Sequence, residues 1–369
     1  MKKIVIDCRF WGPGHSGLGV YTRQLVSHLA KTNTKVNFSI LLRHETIGDP
    51  DLPKNFQPIE VEAKAYTIWE QISVAFKLYQ LSPDLVHFPS INVPIFYFGK
   101  YLVTVHDLIK HESKGTATTT HHPLVYWPKY FIYLFVVWWA VHKSVKILVP
   151  SHDVKSRLLA AYRLSSEKII VTHEAAVLSK AKVVPKPSSL PEKYAIYTGN
   201  AYPHKNLSRL IAVWGEVFTK TGVKLVISSG RSVFSAKIEA LIAASQGENF
   251  VTYKGYLSDK ELAVAYHYAQ AYVFPTLAEG FGIPGLDAMA AELPVVCSDL
   301  PVLREIYGPA AIYFDPKSSQ DMIQKITAVL TDAKLRVNLV AAGKIQVKKY
   351  SWHDTATKTL ATYESCLSL

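Results

Sequence analysis

The chain has 369 residues, of which 49% are hydrophobic and 19% charged, so it is a globular protein with enough apolar material for two domains. Its three cysteines, Cys8, Cys297 and Cys366, lie far apart, which excludes a disulfide framework and the usual zinc spacings. Only three apolar residues separate Lys3 from Asp7, too few for a signal peptide. We therefore expect a cytoplasmic protein.

The net charge is +12, and most of it lies in the first half of the chain. Residues 1–190 hold 23 lysines and arginines against 13 acids, whereas residues 191–369 hold 18 against 16. The basic half indicates an anionic partner, either a phospholipid surface or a phosphate-bearing acceptor; the alternative is that the charge only confers solubility. No helix-turn-helix, zinc-finger or RNA-binding signature is present, so we do not expect nucleic acid as a partner.

The first half alternates short apolar runs with stretches of helical spacing. Lys3–Asp7 is typical of a buried parallel strand, and a glycine-rich loop separates it from a helix expected at Val20–Ala30. The further strands that we expect are Phe38–Leu42, Leu85–Phe88, Leu102–Val105 and Ile147–Pro150. Such alternation predicts a doubly wound parallel sheet.

One segment, Phe131–Val141, consists of eleven uninterrupted apolar residues. It is shorter than the ~20 residues that a membrane-spanning helix needs. We expect a buried helix that precedes the strand at Ile147. The alternative is a partly exposed helix at a membrane interface, because Trp and Tyr favour that depth and Lys129, Lys143 and Lys146 flank the segment.

The pattern breaks at residues 179–194, where three prolines stand among serines and lysines, a composition typical of a linker. Strands are then expected at Tyr194–Thr198, Lys224–Ser228, Phe250–Tyr253, Ala271–Phe274 and Pro294–Ser298. The helices expected between them are Leu207–Thr219, Ala236–Ser245, Asp259–Ala269 and Pro284–Ala291. We therefore predict an α/β protein of two Rossmann-like domains, 1–185 and 186–350, which bind ligands at the C-terminal strand ends on both walls of a cleft.

The strongest functional signal lies in residues 275–290, which follow an expected strand and open an expected helix. Gly280 and Gly282 allow a ligand to approach the backbone, and Pro284 suits a first helical turn. The free N–H groups and the positive dipole end of such a turn can bind a diphosphate. Glu279 and Asp287 flank this anion site and can bind hydroxyl groups. The alternative is an ordinary strand–turn–helix junction with solvated acids.

These residues resemble the E-x7-E motif of the retaining glycosyltransferases of family 4, which have the GT-B fold. In that family the first acid contacts the donor sugar, the following backbone N–H groups contact sugar and diphosphate, and the second acid binds the ribose. The resemblance implies these roles, in that order, for Glu279, for Gly280, Phe281, Gly282 and Ile283, and for Asp287. The family usually has Glu at the second acid, and Asp287 is one methylene shorter.

The resemblance continues in the first half of the chain. Gly17, Leu18 and Gly19 stand in a block similar to the glycine loop that faces donor and acceptor in the family. His106 and Asp107 resemble its "HD" element at the end of a strand.

In the second half, Gly199, Asn200 and Lys205 resemble the first loop of the family's donor domain, where the lysine neutralises phosphate. Many members have Arg where this chain has Asn200, so either Lys205 acts alone or Arg231 supplies a second charge. Tyr256 stands in a segment, residues 253–257, that resembles the loop that meets the nucleobase. Residues 351–369 resemble the C-terminal helix that packs back on the first domain.

The chemistry of these residues is consistent with transfer of a sugar. Lys205 and the helix start would stabilise the charge of a leaving nucleoside diphosphate, so we expect neither a metal nor another cofactor. We find no Asp-x-Asp element of the kind that holds a divalent ion on a diphosphate. We expect His106 to bind a sugar hydroxyl or the reacting centre; the alternative is a structural histidine. Retention is implied by the family, and the lack of an evident second acid beside Glu279 favours a front-face route.

Three other functions are compatible with parts of the sequence. Gly12, Gly14 and Gly17 fit the G-x-G-x-x-G pattern of NAD-dependent oxidoreductases, but the loop starts too late after its strand and the expected acid is missing. Asn200 and Asp287 would suit a catalytically silent sugar-nucleotide-binding protein. Nucleic-acid binding through the basic half predicts a steep salt dependence.

The sequence thus predicts a glycosyltransferase of cell-surface polysaccharide or glycolipid synthesis. By resemblance to the mannosyltransferase branch we expect GDP-mannose as the donor, with UDP- and dTDP-sugars as alternatives. The acceptor is expected to be a saccharide or lipid-linked diphosphate saccharide bound against residues 1–190. Peripheral contact with the inner face of the plasma membrane would follow from that acceptor and from the basic charge.

Overall fold

The computed structural model describes residues 1–12, 16–32, 34–63, 67–112, 122–178, 185–230 and 235–368. The chain forms two compact units. Unit 1 comprises Met1–Leu108, Pro123–Glu174 and Ser351–Leu369, and unit 2 comprises Ile109–His122 and Ala175–Tyr350. The sequence predicts a boundary at residue 185, whereas the chain passes from unit 1 to unit 2 after Glu174.

Thirteen strands are present in the described ranges. In chain order they are β1 Lys3–Asp7, β2 Asn37–Leu42, β3 Phe56–Glu60, β4 Leu85–Phe88, β5 Tyr101–Thr104, β6 Lys146–Val149, β7 Ile169–Val171, β8 Tyr194–Thr198, β9 Lys224–Ser228, β10 Val251–Gly255, β11 Tyr272–Phe274, β12 Val295–Ser298 and β13 Ala311–Phe314.

The same ranges contain thirteen α-helices. In chain order they are α1 Ser16–Leu29, α2 Ile68–Leu81, α3 Ile109–Glu112, α4 Pro123–Lys143, α5 His152–Tyr162, α6 Leu207–Thr221, α7 Ser235–Ala244, α8 Asp259–Tyr268, α9 Ile283–Ala290, α10 Pro301–Tyr307, α11 Ser319–Thr331, α12 Ala333–Gln346 and α13 Trp352–Leu367.

Unit 1 is built on a seven-stranded sheet in the order β3-β2-β1-β4-β5-β6-β7. Every neighbouring pair is parallel, and the strand order reverses between β1 and β4. The central strands β4 and β5 are buried along their whole length, which explains why they are almost continuously apolar. The last helix, α13, belongs to this unit and packs against α1.

Unit 2 is built on a six-stranded parallel sheet in the order β10-β9-β8-β11-β12-β13, which reverses between β8 and β11. Its strands and helices enclose a hydrophobic core of their own. The predicted α/β class with two doubly wound parallel sheets is therefore confirmed. The reversals matter for function, because ligands of such sheets bind at the C-terminal strand ends beside them.

Helix α1 differs from its prediction at the N-terminus. It begins at Ser16, so Gly17 and Gly19 lie in its first turn and not in a loop. Tyr21 and Leu25, one helical turn apart, are both buried, and this stripe anchors the helix on the unit.

Helix α4 contradicts the prediction of a buried helix. It has 21 residues and is mainly exposed, and its buried residues are Val137, Ala140 and Val141, near its C-terminal end. An uninterrupted apolar run covers every face of a helix, whereas only one face can pack on a sheet. The composition of Phe131–Val141 could not show how much of it is covered.

Candidate functional site

Two turns of unit 2 meet where its strand order reverses. The strands β8 and β11 are neighbours, and their C-terminal ends lead into residues 199–206 and 275–282. In an open parallel sheet, two such adjacent ends form the crevice that binds ligands. Lys205 comes from the first turn and Glu279 from the second.

Lys205 and Glu279 form an ion pair in this crevice. Lys205 Nζ donates a hydrogen bond to Glu279 Oε1, and only 12% of each side chain is exposed. Nζ also lies 5.3 Å from the centre of the Phe274 ring, within the range of a cation–π contact. A cation held in one place and partly removed from water attracts an anionic oxygen more strongly than a solvated lysine does.

Hydrogen bonds to one backbone carbonyl join the two turns. The N–H of Leu277 donates to the carbonyl of His204 at 2.7 Å, and the Thr276 hydroxyl donates to the same oxygen at 3.3 Å. Burial and then the charge of Lys205 lower the pKa of His204 to about 3, so its imidazole is neutral at physiological pH. The positive charge of this turn is therefore that of Lys205.

Tyr307 of α10 fixes the turn that precedes α9. Its hydroxyl donates a hydrogen bond to the carbonyl of Gly282 at 2.5 Å. Gly282 has a φ of +97°, a conformation that favours glycine, and a Cβ on Gly282 or Gly285 would overlap the Tyr307 hydroxyl. The two glycines are thus required by the tyrosine packed against the turn.

The N-terminus of α9 has no side-chain cap. Its N-cap residue is Gly282, and no side chain accepts a hydrogen bond from the first turn as a cap. The helices α8, α11 and α12 are capped by Ser258, Ser318 and Asp332. An uncapped helix start has amide groups and a positive dipole end that suit an anion.

Asp287 is buried and holds the chain that enters unit 2. Its Oδ1 accepts hydrogen bonds from the N–H groups of Val177 at 2.6 Å and Leu178 at 2.9 Å. Burial raises the pKa of Asp287 to about 6, against the effect of these two hydrogen bonds. The alternative of solvated acids is therefore wrong for Asp287, which is 8% exposed, and for the paired Glu279.

The loop after β8 is held by Tyr197. The Tyr197 hydroxyl donates to the carbonyl of Asn200 at 2.8 Å, and Gly199 has a φ of +142°. A Cβ on Gly199 would lie 2.9 Å from that hydroxyl. Tyr256, directly after β10, is 62% exposed. Arg231 lies outside the described residues.

In unit 1, both ring nitrogens of His106 have partners. Nδ1 lies 2.9 Å from Glu174 Oε1, and Nε2 lies 2.9 Å from the carbonyl oxygen of Pro89, which can only accept. Burial lowers the pKa of His106, but the hydrogen bond and the charge of Glu174 outweigh it and raise this pKa above its ordinary value. A sugar hydroxyl could bind these nitrogens only by displacing one of the partners.

A buried chain of polar contacts runs from His106 towards α13. The ring of Tyr21 contacts that of His106 edge-on at 4.5 Å, and its hydroxyl lies 3.2 Å from Thr104 Oγ1. His87 Nε2 lies 2.8 Å from the same Oγ1, and His87 Nδ1 lies 2.6 Å from the Tyr363 hydroxyl. Strand ends and the last helix of unit 1 thus support the position of His106.

The remaining predicted residues of unit 1 lie near strand ends. Gly17 is exposed, Leu18 is partly buried and Gly19 is buried in the first turn of α1. Asp107, directly after His106, is partly buried. These residues occupy the same sheet edge as His106, because α1 follows β1 and residues 105–108 follow β5.

Residues 180–346 match the family described as Glycosyl transferases group 1. The O-antigen chain mannosyltransferase RfbU of Salmonella typhimurium is 31% identical to the chain over 269 residues, which cover 66% of this chain and 73% of that protein. The chain belongs to the group 1 glycosyl transferases. This membership confirms that the chain is a glycosyl transferase, as predicted, and it decides against an oxidoreductase.

A further sequence relative supports this assignment, and a solved structure supports the fold. The O-antigen chain mannosyltransferase B of Escherichia coli is 28% identical over 239 residues, which cover 61% of this chain and 63% of that protein. Sucrose-phosphate synthase from Thermosynechococcus elongatus has a similar structure, with a TM-score of 0.80, 17% identity and 100% of both chains covered. The predicted GT-B fold is confirmed.

The structure of the glycosyl transferase adds residues that the motifs did not include. Glu174 follows β7 as His106 follows β5, so the rule of C-terminal strand ends could have indicated it. The Tyr197 hydroxyl holds the loop after β8, and the Tyr307 hydroxyl holds the turn before α9. No local sequence pattern indicates such a contact.

Proposed function

We propose that this glycosyl transferase moves a mannosyl group from GDP-mannose to a saccharide or lipid-linked saccharide, with retention of anomeric configuration and without a metal. The names of its relatives support the sugar, because both sequence relatives above are O-antigen chain mannosyltransferases. UDP- and dTDP-sugars are the alternative donors.

The observation that carries the proposal is the convergence of Lys205 and Glu279 beside the uncapped start of α9. A sugar nucleotide presents a diphosphate and a polyhydroxylated ring next to each other. The lysine and the helix dipole match the diphosphate, and the carboxylate of Glu279 can accept hydrogen bonds from sugar hydroxyls. Asp287, the fifth residue of α9, is proposed to accept a hydrogen bond from the ribose.

In the proposed step, the bond from the anomeric carbon to the phosphate oxygen breaks and a bond from the same carbon to the acceptor oxygen forms on the same face. The acceptor hydroxyl transfers its proton to the departing phosphate oxygen. Lys205 and the positive end of α9 stabilise the charge that develops on that phosphate. Trapping of a covalent glycosyl-enzyme on Glu279 would contradict this route.

The charges of the site support metal independence. Lys205 and the helix start supply the positive charge that a divalent ion would otherwise provide. Within the described ranges, neither Glu279 nor Asp287 belongs to a group of three side chains placed to ligate one ion.

We further propose a cytoplasmic enzyme that meets its acceptor at the inner membrane face. The excess of basic residues in 1–190 supports an anionic acceptor such as a lipid-linked diphosphate saccharide. The synthesis of a cell-surface polysaccharide is the process that fits the O-antigen relatives.

A thermal-shift screen with GDP-, UDP- and dTDP-sugars tests the donor. GDP-mannose should raise the melting temperature most, because a ligand stabilises the folded state by mass action. Lys205→Met should remove most of this shift. The matched control is Lys220→Met, which breaks an exposed pair with Glu216 in the same unit and should leave the shift intact. A larger shift with UDP- or dTDP-sugars, or equal shifts in both variants, would contradict the proposal.

A further inference from the structure

Large hydrophobic side chains are exposed mainly on three segments of unit 1. Of twenty such side chains exposed in the described ranges, fourteen lie on α2, on residues 96–98 and on α4. Exposed fractions reach 80% at Ile68, 73% at Phe98 and 79% at Leu124. A cluster of this size is unusual for a surface that meets only water.

On α2 the exposed residues form one stripe. Ile68, Ile72, Phe76 and Tyr79 recur every three or four positions, which is the period of one helix face. The opposite face carries the buried residues Glu70 and Val74.

On α4 the same period is present. Leu124, Trp127, Phe131, Phe135 and Trp138 are exposed at intervals of three or four residues. The helix therefore presents a continuous aromatic stripe along most of its length.

Direct contacts join these segments into one surface. The Tyr79 hydroxyl donates to the carbonyl of Phe96 at 3.1 Å and accepts from the N–H of Phe98 at 2.9 Å. The ring of Phe98 lies 6.2 Å from that of Trp139, on α4. We call the combined surface of residues 68–81, 96–98 and 123–143 the apolar face.

The exposed charges of the apolar face are all positive. Its lysines are Lys77, Lys129 and Lys143, and its one acid, Glu70, is 1% exposed and paired with the buried Arg9. The apolar face therefore exposes no carboxylate. A second copy docked symmetrically on it would bring lysines towards lysines, whereas an anionic partner would neutralise them.

Helix α4 meets the length and composition of a membrane-spanning helix, and it is the one helix of the described ranges that does. At 1.5 Å per residue it is about 31 Å long, close to the thickness of a bilayer core. However, Val137, Ala140 and Val141 are fully buried in the core of unit 1, and the buried strand β6 follows almost directly. A helix fixed on the sheet at its C-terminal end cannot pass through a bilayer, but it can lie in its surface.

We propose that the apolar face docks the enzyme on an anionic lipid bilayer. The stripes of α2 and α4 lie at the boundary between headgroups and acyl chains, a depth that Trp and Tyr favour, and the three lysines contact the anionic headgroups. This inference rests on the proposed function, because docking on the bilayer would bring the enzyme to a lipid-linked acceptor.

Vesicle flotation of the full chain at low salt tests the docking. The protein should float with vesicles of phosphatidylglycerol and phosphatidylcholine, and less with phosphatidylcholine alone. The double variant Phe76→Glu, Phe131→Glu should weaken partitioning at least about tenfold, because each aromatic ring loses its contact with the acyl region. The matched control, Val337→Glu with Ile345→Glu, changes two exposed apolar residues of α12 in unit 2 and should float like the unmodified protein.

Several outcomes would overturn the docking. These are failure of the unmodified protein to float, equal flotation of the double variant, and a dimer in sedimentation that only the double variant loses, which would assign the face to a second copy. The thermal shift by GDP-mannose, measured without vesicles on both double variants, shows that each is folded. It also separates the two proposals, because it tests donor binding whatever the flotation result.

Discussion

At the scale of single residues, the site is built from a charge pair and the hydroxyls that support it. Lys205 and Glu279 are brought together by two turns of adjacent strands and are both 12% exposed. A phosphate that binds Lys205 would share the lysine with Glu279, leaving the carboxylate able to turn towards a sugar hydroxyl. The pair therefore links the binding of the diphosphate to the binding of the sugar.

Tyr307 gives a residue-scale prediction. Tyr307→Phe removes the hydrogen bond to the Gly282 carbonyl without leaving a large cavity, so we expect a loss of about 1 kcal/mol in the free energy of unfolding. Because the turn before α9 is then less fixed, the Kd for GDP-mannose should rise about three- to tenfold, measured by titration calorimetry.

The control for this prediction is Tyr313→Phe. The Tyr313 hydroxyl donates to the carbonyl of Gly308 at 2.6 Å, in the same unit but outside the turn. The two variants should lose similar stability, and only Tyr307→Phe should weaken the donor. Equal donor affinities in both would show that Tyr307 has a structural role alone.

Residues of this kind mark the limit of prediction from sequence. Glu279, Asp287 and Lys205 could be predicted because a motif and a strand–helix pattern place them. Tyr307 could not, because its contact with Gly282 depends on how α10 packs on the turn. The structure also shows that both nitrogens of His106 are already engaged, which its place at a strand end does not indicate.

At the scale of elements, α9 has two roles, one at its N-terminus and one through the side chain of Asp287. Its N-terminus is suited to an anion, and Asp287 binds the N–H groups of Val177 and Leu178, where the chain enters unit 2. The buried carboxylate thus connects the helix of the proposed donor site with the segment that precedes the predicted linker.

Asp287 makes this connection dependent on pH. Its pKa is raised from 3.8 to about 6 in the folded protein, so the folded state binds a proton that the unfolded state releases between these values. The free energy of unfolding of the unmodified protein, relative to that of Asp287→Asn, should therefore fall by about 3 kcal/mol as pH rises from about 3 to about 7. Above about pH 7 the difference should be constant. Denaturant melts of both proteins at each pH measure it, and a difference independent of pH would contradict the assignment.

The helices show where element-scale prediction succeeds and where it fails. Periodic helices such as α6 and strands such as β8 and β9 are predicted within two residues, because spacing and apolar runs are local signals. The edge strand β3, which is mainly exposed and contains Pro58, has neither signal and is not predicted. The composition of α4 likewise does not show that most of the helix is exposed.

At the scale of the whole molecule, the chain is one glycosyl transferase made of two units with separate cores. Alternation of strands and helices was sufficient to predict two parallel sheets. The return of α13 to unit 1 could be predicted only by resemblance, because its local sequence pattern does not indicate what it packs against. In the structure, contacts such as that of Tyr363 with His87 hold it there. The two halves of the chain also differ in charge, and the excess of basic residues lies in 1–190.

The central claim is that unit 2 binds the diphosphate of the donor at Lys205 and the start of α9. A crystal structure with bound GDP-mannose tests it most directly. We predict a phosphate oxygen within about 3 Å of Lys205 Nζ and the diphosphate at the first turn of α9. A diphosphate bound instead at the glycines of α1, near Gly17 and Gly19, would contradict the account.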